Sequence, residues 1–329
     1  MSITLRPVYH AADPPPPDKT FTPERMADLA KGLERAIARI EAWGIDVQGG
    51  SRLRNTVKLL QEVASAGEFP EPREDLLKIA QAAVDAQEFI IIRGMLPQER
   101  LDPTANILKK AVGGTIGVTP HEAYQAQSEL WVGAALSCAS VPLGVLTNPQ
   151  GPNPDYIVRK GTLRYAIEVK RIAEGKSVKN RVSKAAKQTR DSRYHGSALY
   201  VDLTDWLPSA ITVRFASGPP DLEGPRTPIA KRIDRLRQEI YSDQSHRIRP
   251  RRLHLLAVTA FARFIHWDLT DLSQMHLARY VAPLWFWRGA KTLRYHRARW
   301  LAELLPSAAG NIGLQHLGAH EISFHNQVS

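Results

Sequence analysis

The most informative segment of the chain is residues 153–170, which read NPDYIVRKGTLRYAIEVK. Pro154 is tolerated at the start of a strand because its missing N–H need not enter the ladder, and β-favouring residues follow it. Gly161 supplies a tight turn, after which the side chains of residues 162–171 alternate between two faces, as they do in a strand. The segment therefore predicts a β-hairpin.

Three charged side chains are expected to meet at the open end of this hairpin. Glu168 and Lys170 point to the same face of the second strand, about 6.6 Å apart along it. Antiparallel pairing would place Asp155, at the start of the first strand, beside them. The two carboxylates, a backbone carbonyl such as that of Val169 and several waters can complete the octahedral shell of Mg²⁺. Lys170 adds a cation that can orient an attacking water or stabilise charge on a phosphate in the transition state.

The pattern of the hairpin resembles the signature of the PD-(D/E)XK nuclease superfamily. A Pro-Asp pair ending at Asp155 is separated by twelve residues from a Glu-Val-Lys triplet at 168–170. The resemblance implies an α/β fold with a restriction-endonuclease-like αβββαβ core, a helical N-terminal region and a mixed C-terminal extension. It also implies a metal-dependent nuclease that hydrolyses phosphodiester bonds, preferentially in DNA. In such an enzyme Asp155, Glu168 and Lys170 would be catalytic, and the two carboxylates would hold Mg²⁺, for which Mn²⁺ can substitute.

A helix is predicted before the hairpin, over residues 119–139, with a Thr-Pro start that is typical of a helix N-terminus. The resemblance implies that an acidic residue of this helix faces the metal. We choose Glu129 over Glu122 because Glu129 is embedded among apolar residues, where an unpaired carboxylate is costly. Glu129 is therefore expected to add a metal ligand, directly or through a water.

A basic helix is predicted after the hairpin, over residues 177–194, and a strand at 196–203 then completes the order of the core. The resemblance assigns Gln188 to the cleaved phosphate as a catalytic residue, because its amide can donate to a phosphate oxygen. Cations of the same helix are expected to contact the phosphate backbone of the nucleic acid. They are Arg181, Lys184, Lys187 and Arg190.

The charge of the chain points to a polyanionic partner. Its formal net charge is +11, from 44 Lys and Arg against 33 Asp and Glu. Residues 159–193 hold twelve basic and three acidic side chains, a local excess of nine, so the positive charge concentrates around the hairpin. Nucleic acid, preferentially DNA, is the expected partner.

Composition excludes several other classes of protein. Cys138 is the only cysteine, so neither an intramolecular disulfide nor a cysteine-based metal site is possible, which fits a reducing compartment. The chain has no uninterrupted apolar run of eighteen residues and no start that resembles a signal peptide. We therefore expect a cytoplasmic protein without a membrane partner. His316 and His320 lie one helical turn apart, but no third ligand is spaced to support a zinc site.

Four regions are predicted along the chain. Residues 1–20, with a tetraproline, form a flexible leader, and residues 21–115 form a mostly helical accessory region that could mediate a homodimer or bind a partner protein. Within the accessory region, the apolar run at 88–93 is interpreted as a buried strand. Residues 116–205 form the nuclease-like core. Residues 206–329 form a basic extension that contains aromatic side chains.

Two other functions use the same residues. The first is a catalytically silent protein that keeps the fold and serves in nucleic-acid binding or assembly, although the intact Asp155, Glu168 and Lys170 argue against it. The second is a nuclease directed at RNA, which the motif does not distinguish from one directed at DNA. Specificity, cleavage polarity and oligomeric state do not follow from the sequence.

Overall fold

The computed structural model shows a mixed α/β protein in which a helical N-terminal part precedes most of a nine-stranded sheet. None of the helices in the described residues is long and apolar enough to cross a membrane. The structure describes residues 2–5, 20–70, 73–95, 102–113, 121–138, 143–146, 154–172, 178–188, 194–206, 211–214, 233–238, 240, 254–268, 275–287 and 293–311.

Four helices make up the N-terminal part. Helix α2 has a well-defined start and end, because the Ser51 side chain accepts a hydrogen bond from the Arg54 backbone N–H and Gly67 ends the helix with φ +73°. The predicted strand at 88–93 is wrong, since these residues continue a long helix. The sequence of a short apolar run that is buried on all sides does not distinguish a strand from a helix. The helices are α1 (Pro23–Ala42), α2 (Arg52–Ala66), α3 (Arg73–Met95) and α4 (Asp102–Ala111).

The strands of the described residues join in one sheet with the order β1-β3-β4-β5-β6-β8-β9-β2, and β7 pairs with β8. Strands β3, β4 and β5 are antiparallel, whereas β6 runs parallel to both β5 and β8. The strands are β1 (Ser2–Leu5), β2 (Thr20–Phe21), β3 (Leu143–Leu146), β4 (Tyr156–Lys160), β5 (Leu163–Arg171), β6 (Ser197–Asp202), β7 (Ile211–Arg214), β8 (Leu255–Asp268) and β9 (Met275–Phe286).

The predicted hairpin is confirmed as β4 and β5. Tyr156 pairs with Ile167 at its open end, and Lys160 pairs with Leu163 at the turn. Gly161 has φ +59°, a left-handed conformation that a side chain would disfavour. The observed pairing therefore brings the end of β5 close to the residue that precedes β4.

Helices cover both faces of this sheet. Helices α5 (His121–Cys138) and α8 (Leu293–Asn311) lie on one face, where Trp131 of α5 stacks on Phe261 at 5.1 Å between ring centres. Helix α6 (Val178–Gln188) and helix α7, described over 233–238 and 240, lie on the other. The predicted apolar stripe of α6 is buried there through Val178, Val182 and Ala186. Two hydrophobic cores thus lie on opposite faces of the central strands β6 and β8, and the hairpin strands contribute to the core under α5 and α8.

Segments outside the predicted core also contribute strands. Strand β1 pairs with β3 and β2 pairs with β9, although both lie at the predicted leader. Residues 255–265, an apolar run in the predicted C-terminal extension, belong to β8. Residues 6–19 lie outside the described part of the chain. The sheet therefore draws on residues from both ends of the chain.

Candidate active site

Charged side chains converge at the open end of the β4–β5 hairpin. Lys170 Nζ lies 2.5 Å from Glu168 Oε1 and 3.7 Å from Asp155 Oδ2. Glu168 is buried, with 2% of its side chain exposed, while Asp155 and Lys170 each keep 18%. The alternation of β5 puts Glu168 and Lys170 on one face, and the antiparallel register brings Asp155 beside them. The structure thus brings together the three groups that the sequence singled out.

Asp155 also supports the backbone of β5. Strand β4 begins at Tyr156, opposite Ile167, so among the described residues no strand pairs with the following positions of β5 on this edge. The Val169 backbone N–H instead donates to Asp155 Oδ2 at 2.7 Å. An unpaired N–H here would cost free energy because the residue is buried. One carboxylate therefore fixes the strand that carries the other two charged groups.

Gln125 on α5 completes this edge, and the sequence reasoning missed it. Its Nε2 donates to the Val169 carbonyl at 2.8 Å and to Glu129 Oε1 at 2.7 Å, and its Oε1 accepts from the Arg171 backbone N–H at 2.5 Å. The side-chain amide thereby does for β5 what a residue of a neighbouring strand would do. The only signal in the sequence is the spacing of Gln125 and Glu129, which makes them neighbours on one helix face.

A close approach of α5 to the hairpin brings Glu129 to the site. The Tyr156 hydroxyl donates to the Glu129 backbone carbonyl at 2.7 Å. A Cβ on Gly133 would lie 2.5 Å from the Tyr156 Oη, so only glycine fits at this contact. Gly133 therefore sets how near the helix comes to the strand, and Glu129 lies close enough to the cluster for its charge to interact with those of Asp155 and Lys170.

The carboxylates of this cluster resist ionisation. Burial raises the pKa of Glu129 to about 7, and the charge of Asp155 adds to the shift. Burial and Asp155 likewise raise the pKa of Glu168 to about 7, against the opposing effect of Lys170. Burial also raises the pKa of Asp155. Burial alone would lower the pKa of Lys170, but the surrounding carboxylates raise it. The cluster holds three carboxylates against one cation in a poorly hydrated place.

The donor set of the cluster fits a hard divalent cation. Its ligands would be carboxylate oxygens, with the Val169 carbonyl available through its second lone pair, which suits Mg²⁺ or Mn²⁺ rather than zinc. Glu168 Oε2 is buried and has no hydrogen-bond partner among the described residues. No group of three or more His, Cys, Asp or Glu in that part of the chain is already arranged to hold a metal. Lys170 Nζ contacts Glu168 Oε1, so a cation held by both oxygens of Glu168 would have to displace the lysine.

A second charge cluster begins at the next residue of β5. Arg171 donates to Asp202 Oδ2 at 3.3 Å and to both carboxylate oxygens of Asp205 at 2.6 and 2.7 Å. Arg263 of β8 lies 3.2 Å from the same Asp202 oxygen, which also accepts from Ser128 Oγ at 2.6 Å. Burial alone would raise the pKa of Asp202, but the two arginines and the hydrogen bonds lower it to about 2. Asp202 is therefore held ionised by two arginines and by hydroxyl donors.

The second cluster continues into the N-terminal helices. Arg263 Nε lies 2.7 Å from Glu88 Oε1 of α3, and Gln127 of α5 donates to Glu88 Oε2 at 2.6 Å. Gln127 also donates to Asp85, which forms a 2.6 Å ion pair with Arg52 of α2. All of these side chains are buried. A continuous polar network therefore joins the sheet to helices that the sequence described only as an accessory region.

Helix α6 carries the remaining predicted site residues. Lys184 is exposed on it. Arg181, Lys187 and Gln188 belong to the helix, but their side chains lie outside the described part of the structure. Arg190 lies beyond the described end of the helix, and His316 and His320 also fall outside the described residues. The contacts of these residues with nucleic acid thus stay predictions.

Comparison of the chain with models of known protein families, with curated proteins and with solved structures gave no match. The geometry and chemistry of the site itself are therefore the basis on which a function can be assigned.

Proposed function

We propose that this chain is a metal-dependent nuclease of the PD-(D/E)XK type that hydrolyses phosphodiester bonds, preferentially in DNA. The observation that carries the proposal is the meeting of Glu129, Asp155, Glu168 and Lys170 at the open end of one hairpin. These residues come from two segments, and three of them form the motif that resembles the superfamily. Clusters of carboxylates with raised pKa values are typical of functional sites rather than of structural ion pairs.

The order of the structural elements supports a restriction-endonuclease-like core. Helix α5, the antiparallel strands β3, β4 and β5, helix α6 and the parallel strand β6 follow one another in the αβββαβ order. The two helices lie on opposite faces of the sheet. The charged cluster lies at the edge of β5 beyond the first residue of β4, where Asp155 and Lys170 each keep 18% of their side chains exposed.

Each residue of the cluster has a role that follows from its contacts. Asp155 and Glu168 would hold Mg²⁺, and Glu129 would add a ligand directly or through a water. When bound, the metal would supply positive charge to the phosphate and lower the pKa of the attacking water. Lys170, displaced from Glu168, would donate to a phosphate oxygen as negative charge builds up on it. Gln188 would donate to a second oxygen of the same phosphate.

The charge of the surrounding surface supports nucleic acid as the substrate. Residues 159–193 carry an excess of nine positive charges, and Lys184 is exposed on α6. Phosphate contacts with Lys and Arg release counterions and give binding that does not depend on sequence. Binding through Arg181, Lys184, Lys187 and Arg190 should therefore weaken steeply as salt rises.

One observation favours a different function. The 2.5 Å contact between Lys170 and Glu168 neutralises a carboxylate without any metal. A protein that had lost catalysis but kept the fold for nucleic-acid binding or assembly could use the lysine in this way. The presence of a third carboxylate, Glu129, favours the nuclease, since one lysine leaves the cluster negative.

The decisive experiment is a cleavage assay on four substrates: supercoiled plasmid, linear duplex DNA, single-stranded DNA and RNA. Each is incubated with the protein in Mg²⁺, in Mn²⁺ and in EDTA. We expect cleavage of DNA with either metal and none in EDTA, and loss of cleavage in Asp155→Asn but not in Glu122→Gln, which changes an exposed acid of α5. Metal-dependent cleavage confined to RNA would reassign the substrate. Tight DNA binding without cleavage would support the catalytically silent alternative.

A further inference from the structure

Two arginines oppose each other across the β4–β5 hairpin, close to its turn. Arg159 and Arg164 are directly paired in the register, and both side chains are exposed. Like charges directly opposite each other on antiparallel strands are destabilising. Within the described part of the chain, neither side chain forms an ion pair that would relieve this repulsion. The hairpin therefore keeps a pair of cations that costs it stability.

This arginine pair lies on the same face of the hairpin as the candidate active site. Side chains alternate along a strand, so Arg164 shares a face with Ala166 and Glu168, and Arg159 shares it with Asp155. Each arginine lies four positions along the chain from an acidic residue: Arg159 from Asp155, and Arg164 from Glu168. At roughly 3.3 Å per residue, the pair lies about 13 Å from the carboxylates along the strands.

Neighbouring elements hold the hairpin turn in place. The Arg164 backbone N–H donates to His195 Nδ1 at 3.1 Å, and the His195 backbone N–H donates to the Arg164 carbonyl at 2.8 Å. On the opposite face, Lys160 Nζ lies 4.9 Å from the centre of the Trp300 ring of α8, and Tyr165 packs on the same ring at 5.3 Å. The arginine pair is thus presented from a supported backbone rather than from a free loop.

We propose that Arg159 and Arg164 together bind a backbone phosphate of the substrate, at a distance from the phosphate that is cleaved. Guanidinium groups bind phosphate oxygens through two parallel hydrogen bonds, and a phosphate between the two arginines relieves their repulsion. Successive phosphates of a strand follow the helical path and are farther apart than the rise of about 3.4 Å along the axis, so about 13 Å reaches past the nucleotide next to the cleaved bond. The inference rests on the proposed nuclease and specifies its substrate: a nucleic acid that continues past the cleaved bond, towards the hairpin turn.

The test measures equilibrium binding of the full chain to a fluorescent duplex DNA in EDTA, at several salt concentrations. Arg159→Gln/Arg164→Gln should weaken binding about tenfold or more and make the dependence of log K on log salt shallower by about one for each lost phosphate contact. The control, Lys31→Gln/Arg35→Gln, removes two exposed cations of α1 and should bind as the parent does. The inference would be overturned if the arginine variant bound DNA as tightly as the parent, or if the control lost as much affinity as the arginine variant. It would also be overturned if the parent did not bind DNA.

A second variant separates recognition from structure. Arg159→Glu places opposite charges across the hairpin, so its melting temperature should equal or exceed that of the parent while its affinity for DNA falls. A melting temperature well below that of the parent would show that the arginines support the fold instead.

Cleavage distinguishes this inference from the nuclease proposal. If the parent binds DNA through the arginine pair but does not cut it, the phosphate site is supported and the nuclease proposal is refuted. A parent that cuts DNA, with an arginine variant that binds and cuts equally well, would refute the phosphate site alone.

Discussion

Two charge clusters lie side by side on strand β5, and their carboxylates respond to burial in opposite ways. In the active-site cluster, burial raises the pKa values of Glu129 and Glu168 to about 7. In the network that begins at Arg171, Asp202 is buried as well, yet its pKa falls to about 2. The difference is the number of cations. Asp202 lies between two arginines, although Arg171 also pairs with Asp205 and Arg263 with Glu88, whereas among the described residues Lys170 is the one cation close to three carboxylates.

This contrast separates a structural cluster from a functional one. The network around Asp202 provides its own counter-charges, and both oxygens of Asp202 accept hydrogen bonds from the arginines, Ser128 and Thr204. The active-site cluster keeps a buried carboxylate oxygen, Glu168 Oε2, without a partner among the described residues. Such an arrangement costs stability unless something positive binds, and proteins accept that cost chiefly at functional sites. The following predictions test the contrast.

The largest effect is expected from removing a ligand of the active-site cluster. Asp155→Ala or Glu168→Ala should abolish cleavage, because the remaining oxygens are too few to hold Mg²⁺ well. Folding should be nearly intact, and in EDTA Glu168→Gln should melt no lower than the parent, since Glu168 is buried beside two other carboxylates and its Oε2 has no hydrogen-bond partner among the described residues. Cleavage assays and thermal unfolding measure the two effects. If these variants cut as fast as the parent, the hairpin is not the active site.

Breaking the network around Asp202 should lower the stability of the fold, whereas the variants of the active-site cluster lose cleavage and keep the fold. Asp202→Asn removes the buried carboxylate that Arg171 and Arg263 share, leaving Asp205 to Arg171 and Glu88 to Arg263, and we expect a loss of up to about 3–5 kcal/mol in the free energy of unfolding. The matched control is Glu303→Gln, which breaks the exposed 2.8 Å pair with Arg299 and should cost at most about 1 kcal/mol. Urea unfolding gives both values. Similar losses in the two variants would show that the network is not important for stability.

The two clusters should also give stability opposite dependences on pH. In EDTA, the raised pKa values of Glu129 and Glu168 contribute stability that is present below about 4.5 and lost as pH rises through about 7. The lowered pKa of Asp202 contributes stability that is present above about 3.8 and lost as pH falls through about 2. Melting temperatures across this range should show both losses. Glu129→Gln/Glu168→Gln should remove the loss of stability near pH 7, and Asp202→Asn should remove the loss near pH 2. A variant in which the corresponding loss is unchanged would contradict the assignment.

Lys170 should matter for rate rather than for metal binding. Lys170→Met removes the group that competes for Glu168, so Mg²⁺ should bind at least as tightly in a calorimetric titration. The transition state loses a cation next to the phosphate, and the rate of cleavage should fall by about 10²-fold. A loss of Mg²⁺ binding equal to that of Glu168→Ala would mean instead that the lysine is needed to assemble the site.

The smallest effect is expected at Gln125, which touches the ligands but not the phosphate. Gln125→Ala should weaken Mg²⁺ binding by about tenfold, within the usual range for groups that orient metal ligands. Gln125→Glu should be measured beside Gln125→Ala. It keeps the oxygen that accepts from the Arg171 backbone N–H but loses the N–H that donates to the Val169 carbonyl and to Glu129. Calorimetry on both variants would distinguish the two halves of the amide. Parent-like affinity in both would remove Gln125 from the site.

The sequence predicted those parts of the site that depend on local spacing. Glu168 and Lys170 are two residues apart on a strand, and a turn at Gly161 brings Asp155 to them, so their meeting follows from the geometry of any hairpin. Glu129 was predicted because a lone carboxylate among apolar residues needs a reason. The roles of these residues in catalysis stay predictions.

Contacts between distant parts of the chain could not be predicted in the same way. Gln125 reaches Val169 across 44 positions, and Arg263 reaches Ser128 across 135. No local pattern marks such partners. The prediction of a strand at 88–93 was wrong for the same reason. Other helices and the sheet bury these apolar side chains on all sides, so the sequence shows no helical spacing of apolar and polar residues there.

The polar network between the sheet and α3 has a consequence for how the protein could be divided. A fragment that began at residue 116 would leave Arg263 without Glu88, and Gln127 without Glu88, Asp85 and Arg52, all inside the hydrophobic core. Unpaired buried charges of this kind are incompatible with a stable fold. The residues that could cut nucleic acid and the helices far from them in sequence should therefore unfold in one cooperative transition, and neither part should persist as a module in the absence of the other.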